Sequence, residues 1–138
     1  KFVIIINERV QEGYIMPTVI TICETCKREG WKDKGLKEAD GFELAKLIEN
    51  IPTQKENIVI RRHACLMGCD HGCNVTIQDN KKLSYVLGNF KPLKEDAEAI
   101  VFYANLHADS SNGQVPYREW PQAIKGHFVA RIPPIKDK

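Results

Sequence analysis

The sequence has no apolar run that approaches the roughly 20 residues a membrane-spanning helix needs, so no membrane span is predicted. It also lacks a strong excess of one charge, because 20 basic and 18 acidic residues leave a formal net charge of +2. Basic residues are interleaved with acidic ones, as in Lys94-Glu95-Asp96, and form no stripe of the kind typical of nucleic-acid binding. We therefore expect neither a membrane nor a nucleic acid as the partner.

The common enzyme signatures are absent as well. The sequence contains no P-loop, no Rossmann glycine fingerprint, no nucleophile elbow and no paired-carboxylate pattern. It also contains no internal repeat and no linker that would divide its 138 residues into two domains. These absences favour a single domain and a non-enzymatic role over the familiar enzyme classes.

The domain is predicted to cover residues 17–138, because Pro17 directly precedes the first convincing strand. Residues 1–16 are interpreted either as an extension upstream of this domain or as an additional edge strand. The apolar stretch Phe2–Ile6 is shorter than the hydrophobic segment of a secretory signal peptide. We expect the protein in the cytoplasm.

Hydrophobic patterning predicts four strands and two long helices. The predicted strands are Thr18–Cys23, Asn57–Arg61, Asn74–Gln78 and Leu83–Leu87, and the second helix is Asp96–Asp109. The first helix begins at Asp40, which with Glu43 has the spacing of a capping box, and it ends before Pro52. The remainder after Gly113 is predicted to be mostly irregular, with a short helix over Trp120–Lys125.

The order of these elements predicts the fold class. A strand–helix–strand start implies a parallel pair of strands, and the hairpin that follows adds an antiparallel piece. The result is an α/β fold, a thioredoxin-like mixed sheet with helices packed on it. Both cysteine-containing loops follow strands of the parallel pair, so we expect the two loops at the same end of the sheet.

Five cysteines are the most informative feature of the composition. Cys23 and Cys26 form one cluster, and Cys65, Cys69 and Cys73 form a second within nine residues. An odd number cannot pair completely within one chain, and a domain of this size does not depend on disulfides. Clustered cysteines in a cytoplasmic protein favour metal binding or redox chemistry.

The second cluster has the composition of a metal-binding loop. Gly68 and Gly72 separate its thiols, and glycine lets a loop wrap an ion with its amides turned inward. Thiolates select a [2Fe–2S] cluster or zinc, and His63 or His71 could replace one cysteine on zinc. A third interpretation makes Cys23-Glu-Thr-Cys26 the dithiol of an oxidoreductase. The polar residues after this motif, which have no helical apolar period, weaken that interpretation.

The sequence from Cys65 to Ile77 resembles the second cluster loop of the thioredoxin-like [2Fe–2S] ferredoxins. Cys73 stands where those proteins have a proline, and Cys23 and Cys26 are closer together than their first two ligands. Over Thr18–Pro134 the chain more closely resembles a bacterial family of predicted metal-binding proteins of uncharacterised function, often associated with cobalamin-synthesis genes. The matching segments are Cys23–Cys26, Cys65–Cys73, Ser84–Phe90, Gly113–Arg118 and Ala130–Pro134.

The ferredoxin resemblance implies that Cys65, Cys69 and Cys23 bind the cluster. If each loop supplies two ligands, Cys26 is favoured as the fourth ligand, and Cys73 is a spare or substitute ligand. The resemblances also imply a homodimer, and a zinc- or cobalt-related role as the alternative to electron transfer. The basic loop Lys27–Lys37 leads us to expect a redox or metalloenzyme partner with an acidic surface.

Overall fold

A computed structural model describes residues 17–52 and 58–135, together with the backbone of residues 5–6 and 9–10. Short 3-10 turns connect several of the regular elements. The strands are β1 (Ile5–Ile6), β2 (Arg9–Val10), β3 (Thr18–Cys23), β4 (Ile58–His63), β5 (Val75–Gln78), β6 (Ser84–Leu87) and β7 (Phe128–Ile132). The helices are α1 (Asp40–Glu49) and α2 (Lys94–Asp109).

One mixed sheet organises the chain, with strand order β4-β3-β5-β6-β7. β3 and β4 are parallel, whereas the β3–β5, β5–β6 and β6–β7 pairs are antiparallel. The predicted parallel pair and the predicted hairpin are therefore both present. The α/β fold class with a mixed sheet and packed helices is confirmed.

The segment before β3 forms a sheet of its own. β1 and β2 pair antiparallel with each other and are not part of the five-stranded sheet. Most of residues 1–16 lie outside the described residues, and so do residues 136–138. The domain boundary and the two interpretations of residues 1–16 stay predictions.

The core lies between one face of the sheet and the two helices, which also pack against each other. Alternate residues of the central strands point into it, and their β-branched side chains suit a pleated, buried surface. The largest fully buried aliphatic side chains include Ile20, Ile22, Val75, Ile77 and Leu87 from the strands and Leu44, Ile48 and Ile100 from the helices. In the described part of the chain, neither helix is long and apolar enough to cross a membrane.

The start of α1 differs from the predicted capping box. The N-cap position is Ala39, and no side chain caps the helix there. Asp40 is instead buried, and its carboxylate accepts a hydrogen bond of 2.7 Å from the backbone amide of Arg28. The Arg28 Nε atom lies 3.3 Å from the same carboxylate. The predicted capping box was wrong because Arg28, in the loop before the helix, binds the Asp40 carboxylate. A motif defined only by residues of the helix itself does not include this partner.

The C-terminal region is more regular than expected. Tyr117–Glu119 and Gln122–Ile124 form 3-10 turns, and β7 adds a fifth strand to the sheet beside β6. A register shift between Val86 and Leu87 interrupts this pairing. Most of β7 is exposed, so the strand lacks the apolar alternation by which a half-buried strand is recognised.

His107 joins α2 to the sheet in the middle of the core. It is fully buried, and its Nε2 atom lies 2.7 Å from the Leu83 carbonyl oxygen. Because a carbonyl only accepts, Nε2 carries the proton, and Nδ1 accepts from the Thr18 hydroxyl at 3.1 Å. Burial and the nearby charge of Lys82 lower the pKa of His107, against opposing effects of the Leu83 hydrogen bond and Asp79.

This buried histidine makes stability depend on pH. The pKa of His107 is lower in the folded chain than the ordinary value near 6.5, so the unfolded chain binds more protons. We expect the free energy of unfolding to be highest above about pH 6.5 and to fall as pH drops through the folded pKa. Urea unfolding at pH 7.5 and pH 5.5 measures the effect.

His107→Gln should remove part of this pH dependence, because glutamine does not titrate. At pH 7.5 the variant should lose about 1–3 kcal/mol, since glutamine cannot reproduce both hydrogen bonds. His63→Gln is the matched control, because His63 is exposed, and it should lower the free energy of unfolding at pH 7.5 by less than His107→Gln does. An identical pH profile for His107→Gln and the unchanged protein would contradict this assignment.

Candidate metal or redox centre

Parallel pairing brings the two cysteine loops to one end of the sheet. Cys23, the last residue of β3, is in register with His63, the last residue of β4. The amide of Glu24 donates to the His63 carbonyl at 3.0 Å, which extends the pairing into the loops. The predicted convergence of the two loops is confirmed.

The second loop returns to the same place at its other end. β5 runs antiparallel to β3, with Val75 opposite Ile22. The Cys23 amide donates to the Asn74 carbonyl at 3.1 Å, so Cys73 and Asn74 lie beside the start of the first loop. Cys73 also exchanges two backbone hydrogen bonds with Phe90, of 3.3 and 3.5 Å. The peptide bond between Gly72 and Cys73 is cis.

The five cysteines divide into a buried and an exposed group, and all are free thiols. Cys23, Cys26 and Cys73 are buried, with exposed fractions of 2%, 4% and 0%. Cys65 and Cys69 are exposed on the second loop. The sequence indicated two cysteine clusters that meet at one site, and the structure divides their thiols into three that are buried and two that are open to solvent.

The Cys23 and Cys26 thiols interact directly and differ in acidity. Burial raises the pKa of Cys23, but hydrogen bonds, chiefly from the Cys26 thiol and the Leu66 amide, bring it below the ordinary value. Burial and the bond to Cys23 raise the pKa of Cys26 to about 12. A proton is therefore lost more readily from Cys23 than from Cys26.

Backbone amides of the second loop favour negative charge on sulfur atoms of both loops. The Leu66 amide lowers the pKa of Cys23, and the Asn74 amide lowers that of Cys26. Within the loop itself, the Met67 amide lies 3.4 Å from the Cys65 sulfur. Such amides stabilise negative charge on sulfur, and they are the groups that tune iron–sulfur clusters.

Cys73 is the most buried of the five thiols. Burial, and then the negative charge of Asp40, raise its pKa to about 12. The charges of Cys26 and Cys23 act in the same direction, which means that the three buried sulfur atoms lie near one another. A second thiolate at this position is disfavoured as long as no cation is present.

Asn74 holds the second loop in shape, and the sequence analysis did not assign it a role. Its side-chain amide donates to the carbonyl oxygens of Gly68 and His71, at 2.9 and 2.6 Å. Its side-chain oxygen accepts from the Cys26 thiol at 3.5 Å. Asn74 is 2% exposed. A polar residue directly before the buried Val75, next to the cysteine loop, was the available signal.

Glycines let the two loops approach α1 and each other. A Cβ atom on Gly41 would lie 1.9 Å from the Cys23 carbonyl oxygen, so the first turn of α1 touches the first loop. The Gly41 amide donates to the Cys26 carbonyl at 2.9 Å. A Cβ atom on Gly68 would lie 2.3 Å from the Asn74 side-chain oxygen. Larger residues at either position would displace the cysteine loops.

The predicted ligands are not yet assembled around one ion. Among residues 17–52 and 58–135, no three His, Cys, Asp or Glu side chains are arranged to hold a metal. Of the predicted set, Cys23 and Cys26 are in contact, and the charge of Cys69 raises the pKa of Cys26. Cys65 hydrogen-bonds through its backbone to His63, whose Nδ1 atom lies 3.1 Å from its carbonyl oxygen.

A basic cavity of about 600 Å³ opens beside Cys69. Three lysines line it from separate segments, Lys27 and Lys34 in the first loop and Lys91 after β6. The remaining charged groups of the lining are Arg28, which is bound to Asp40, and the carboxylates Glu29 and Asp70. Cys69 therefore adjoins a surface on which positive charge predominates.

Comparison with known proteins places the chain in a family. The model of a family described as a protein of unknown function matches residues 20–134, which include all five cysteines and both loops. The chain belongs to the DUF1636 family. Membership in an uncharacterised family is thereby confirmed, although the description of DUF1636 mentions neither a metal nor cobalamin. No curated protein and no solved structure matches this DUF1636 chain.

Replacement of Asn74 tests whether it fixes the cysteine loop of this DUF1636 protein. Asn74→Asp keeps the shape of the side chain, but it removes both amide donors and buries a charge beside Cys26. We expect the free energy of unfolding to fall by about 2–4 kcal/mol in urea. Amide hydrogen exchange across residues 65–73 should also become faster.

The matched control is Asn80→Asp in the turn between β5 and β6, where the side chain is exposed. It should change stability by no more than about 0.5 kcal/mol. Equal effects of the two substitutions would show that Asn74 has no special role in the loop.

Proposed function

We propose that this protein binds a [2Fe–2S] cluster through cysteines of its two loops, and that it transfers electrons or supports a partner enzyme. The observation that carries the proposal is the convergence of five free thiols, on two loops, at one end of the sheet. When bound, such a cluster supplies one-electron chemistry.

The donor set fits a soft metal centre. Five thiols lie on two loops at one end of the sheet, and four thiolates suffice for a [2Fe–2S] cluster. Cys23, Cys26, Cys65 and Cys69 are the ligands we favour. Cys65 and Cys69 are exposed, so their side chains can turn towards the buried pair without moving the sheet. Cys73 is the spare because it is the most buried thiol and because burial and the negative charge of Asp40 raise its pKa.

A second candidate is thiol–disulfide exchange by Cys23 and Cys26. The lowered pKa of Cys23 and the raised pKa of Cys26 are typical of an attacking and a resolving thiol. The two side chains are nevertheless almost completely buried, so a substrate disulfide cannot reach the Cys23 sulfur. Zinc or cobalt bound by the same cysteines, with a link to cobalamin metabolism, is the other alternative; it rests on the family resemblance.

Metal analysis of protein purified without oxygen separates these candidates. We expect a red-brown protein with two irons and two sulfides per chain, the composition of a [2Fe–2S] cluster. A colourless protein with one zinc per chain, and no iron uptake on reconstitution, would favour the zinc site. A metal-free protein that forms a reversible Cys23–Cys26 disulfide would favour the oxidoreductase.

Single replacements of the cysteines by serine test the ligand assignment. Cys26→Ser and Cys69→Ser should lose more than about half of the bound iron, because each removes one of four thiolate ligands. Cys73→Ser is the matched control: it alters a buried thiol of the same site and should keep its iron. Loss of iron in Cys73→Ser together with retention in Cys26→Ser would exchange the roles of these two residues.

The basic cavity beside Cys69 supports a partner with an acidic surface. Lys27, Lys34 and Lys91 line it, and exposed Lys32 lies two residues before Lys34 on the same loop. A positive surface next to an electron-transfer centre raises the local concentration of anionic partners, and salt screens this effect.

Inorganic oxidants of opposite charge test this surface in the cluster-loaded protein. Lys32→Glu/Lys34→Glu should slow oxidation by hexacyanoferrate(III) by about three- to tenfold at low salt and accelerate oxidation by hexaammineruthenium(III). Lys81→Glu is the matched control, because Lys81 is exposed in the turn at the opposite end of the sheet. Lys81→Glu changes the net charge by half as much as the double variant. An effect on the logarithm of the rate that is also half as large would therefore mean that only net charge matters.

A further inference from the structure

A second cavity, of about 520 Å³, lies between residues 114–120 and β7, and the cysteine chemistry does not use it. Aromatic rings make up much of its wall, and Arg131 is the only charged side chain that the described residues contribute to it. Its principal lining residues are Tyr85, Val115, Tyr117, Trp120, Phe128 and Arg131. Two of the segments that carry the family resemblance, Gly113–Arg118 and Ala130–Pro134, form opposite sides of it.

The rings of this wall hold one another in place. Trp120 lies 4.8 Å from Tyr117 and 4.7 Å from Phe128, measured between ring centroids. The Trp120 indole nitrogen donates to the Val115 carbonyl at 2.9 Å, which fixes the orientation of the ring. Tyr117 is nevertheless 61% exposed. An exposed aromatic surface beside a concave apolar space is typical of a site for a flat ligand.

Polar groups adjoin this aromatic wall from two sides. Arg131 is exposed, and within the described ranges of the chain no carboxylate pairs with it. Behind the wall, the buried Tyr103 hydroxyl makes no hydrogen bond of normal geometry among the residues described, and the Tyr85 side chain is its polar neighbour. The Tyr103 ring stands edge-on to Trp120 and Phe128, at 6.1 and 5.3 Å. A few polar groups around an apolar cavity are what gives a small-molecule site its specificity.

We propose that this cavity binds a planar aromatic anion. The ligand's rings stack among Tyr117, Trp120 and Phe128, and its negative group pairs with the Arg131 guanidinium. A neutral aliphatic ligand would leave the cation unpaired, and a small inorganic anion would leave the rings exposed. The site is independent of the cysteine centre, so failure of one proposal does not decide the other.

Two probes with the same ring system test the proposal on the full chain. 1-Anilinonaphthalene-8-sulfonate carries a negative charge, and N-phenyl-1-naphthylamine lacks it. We expect the sulfonate to bind with one site per chain and to shift the Trp120 indole NMR signal in a saturable manner. The Trp31 signal should not move, because Trp31 lies in the first cysteine loop and donates to the Glu38 carbonyl.

Variants separate the roles of charge and ring. Arg131→Gln should weaken binding of the sulfonate about tenfold and leave the neutral probe unaffected. Tyr117→Ala should weaken both probes. Arg118→Gln is the matched control, since Arg118 is exposed and does not line the cavity. Circular dichroism and the thermal midpoint verify that each variant is folded.

Three results would overturn the proposal. The first is binding at many weak sites that Arg131→Gln and Tyr117→Ala leave unchanged, which is adventitious binding of the dye only. The second is a saturable signal at Trp31 instead of Trp120. The third is a Trp120 signal that changes with protein concentration alone, which would assign the aromatic wall to contact between two copies of the chain.

Discussion

The parallel register of β3 and β4 is the constraint on which the cysteine site depends. It ends both strands at the same level, so that Cys23 and His63 are neighbours and the two loops start side by side. The antiparallel pairing of β5 then returns the second loop to Cys23. Cys23 and His63 are 40 positions apart in the sequence, and the backbone hydrogen bonds of the sheet bring them together. The thiols of the two loops lie close together for the same reason.

Burial and hydrogen bonding act against each other within this site. Burial disfavours thiolates, as the raised pKa values of Cys26 and Cys73 indicate, whereas the loop amides favour negative charge on the Cys23 sulfur. In the absence of a cation, negative charge is therefore favoured on Cys23 over Cys26 and Cys73. A bound cation would offset the remaining charge, which is why the same burial that protects the thiols is compatible with a metal centre.

The sequence was sufficient for features that depend on periodicity and chain order. The strands around Ile20 and Ile77 and the convergence of the two loops follow from apolar patterning and from the topology of a parallel pair. Three features were beyond its reach because they depend on distant partners. Asp40 binds Arg28 and does not cap its helix. Asn74 holds the second loop in shape by donating hydrogen bonds to backbone carbonyl groups of that loop. β7 is a strand because it pairs with β6.

The position of β7 also bears on how the protein avoids aggregation. An edge strand presents unpaired backbone groups to which another chain can add. Here the strand is followed directly by Pro133 and Pro134, neither of which has an amide proton to donate. The register shift opposite Val86 and Leu87 adds an irregularity that a flat incoming strand would have to match. The sheet can therefore expose apolar Val129 and Ile132 at this border while opposing extension into a fibril.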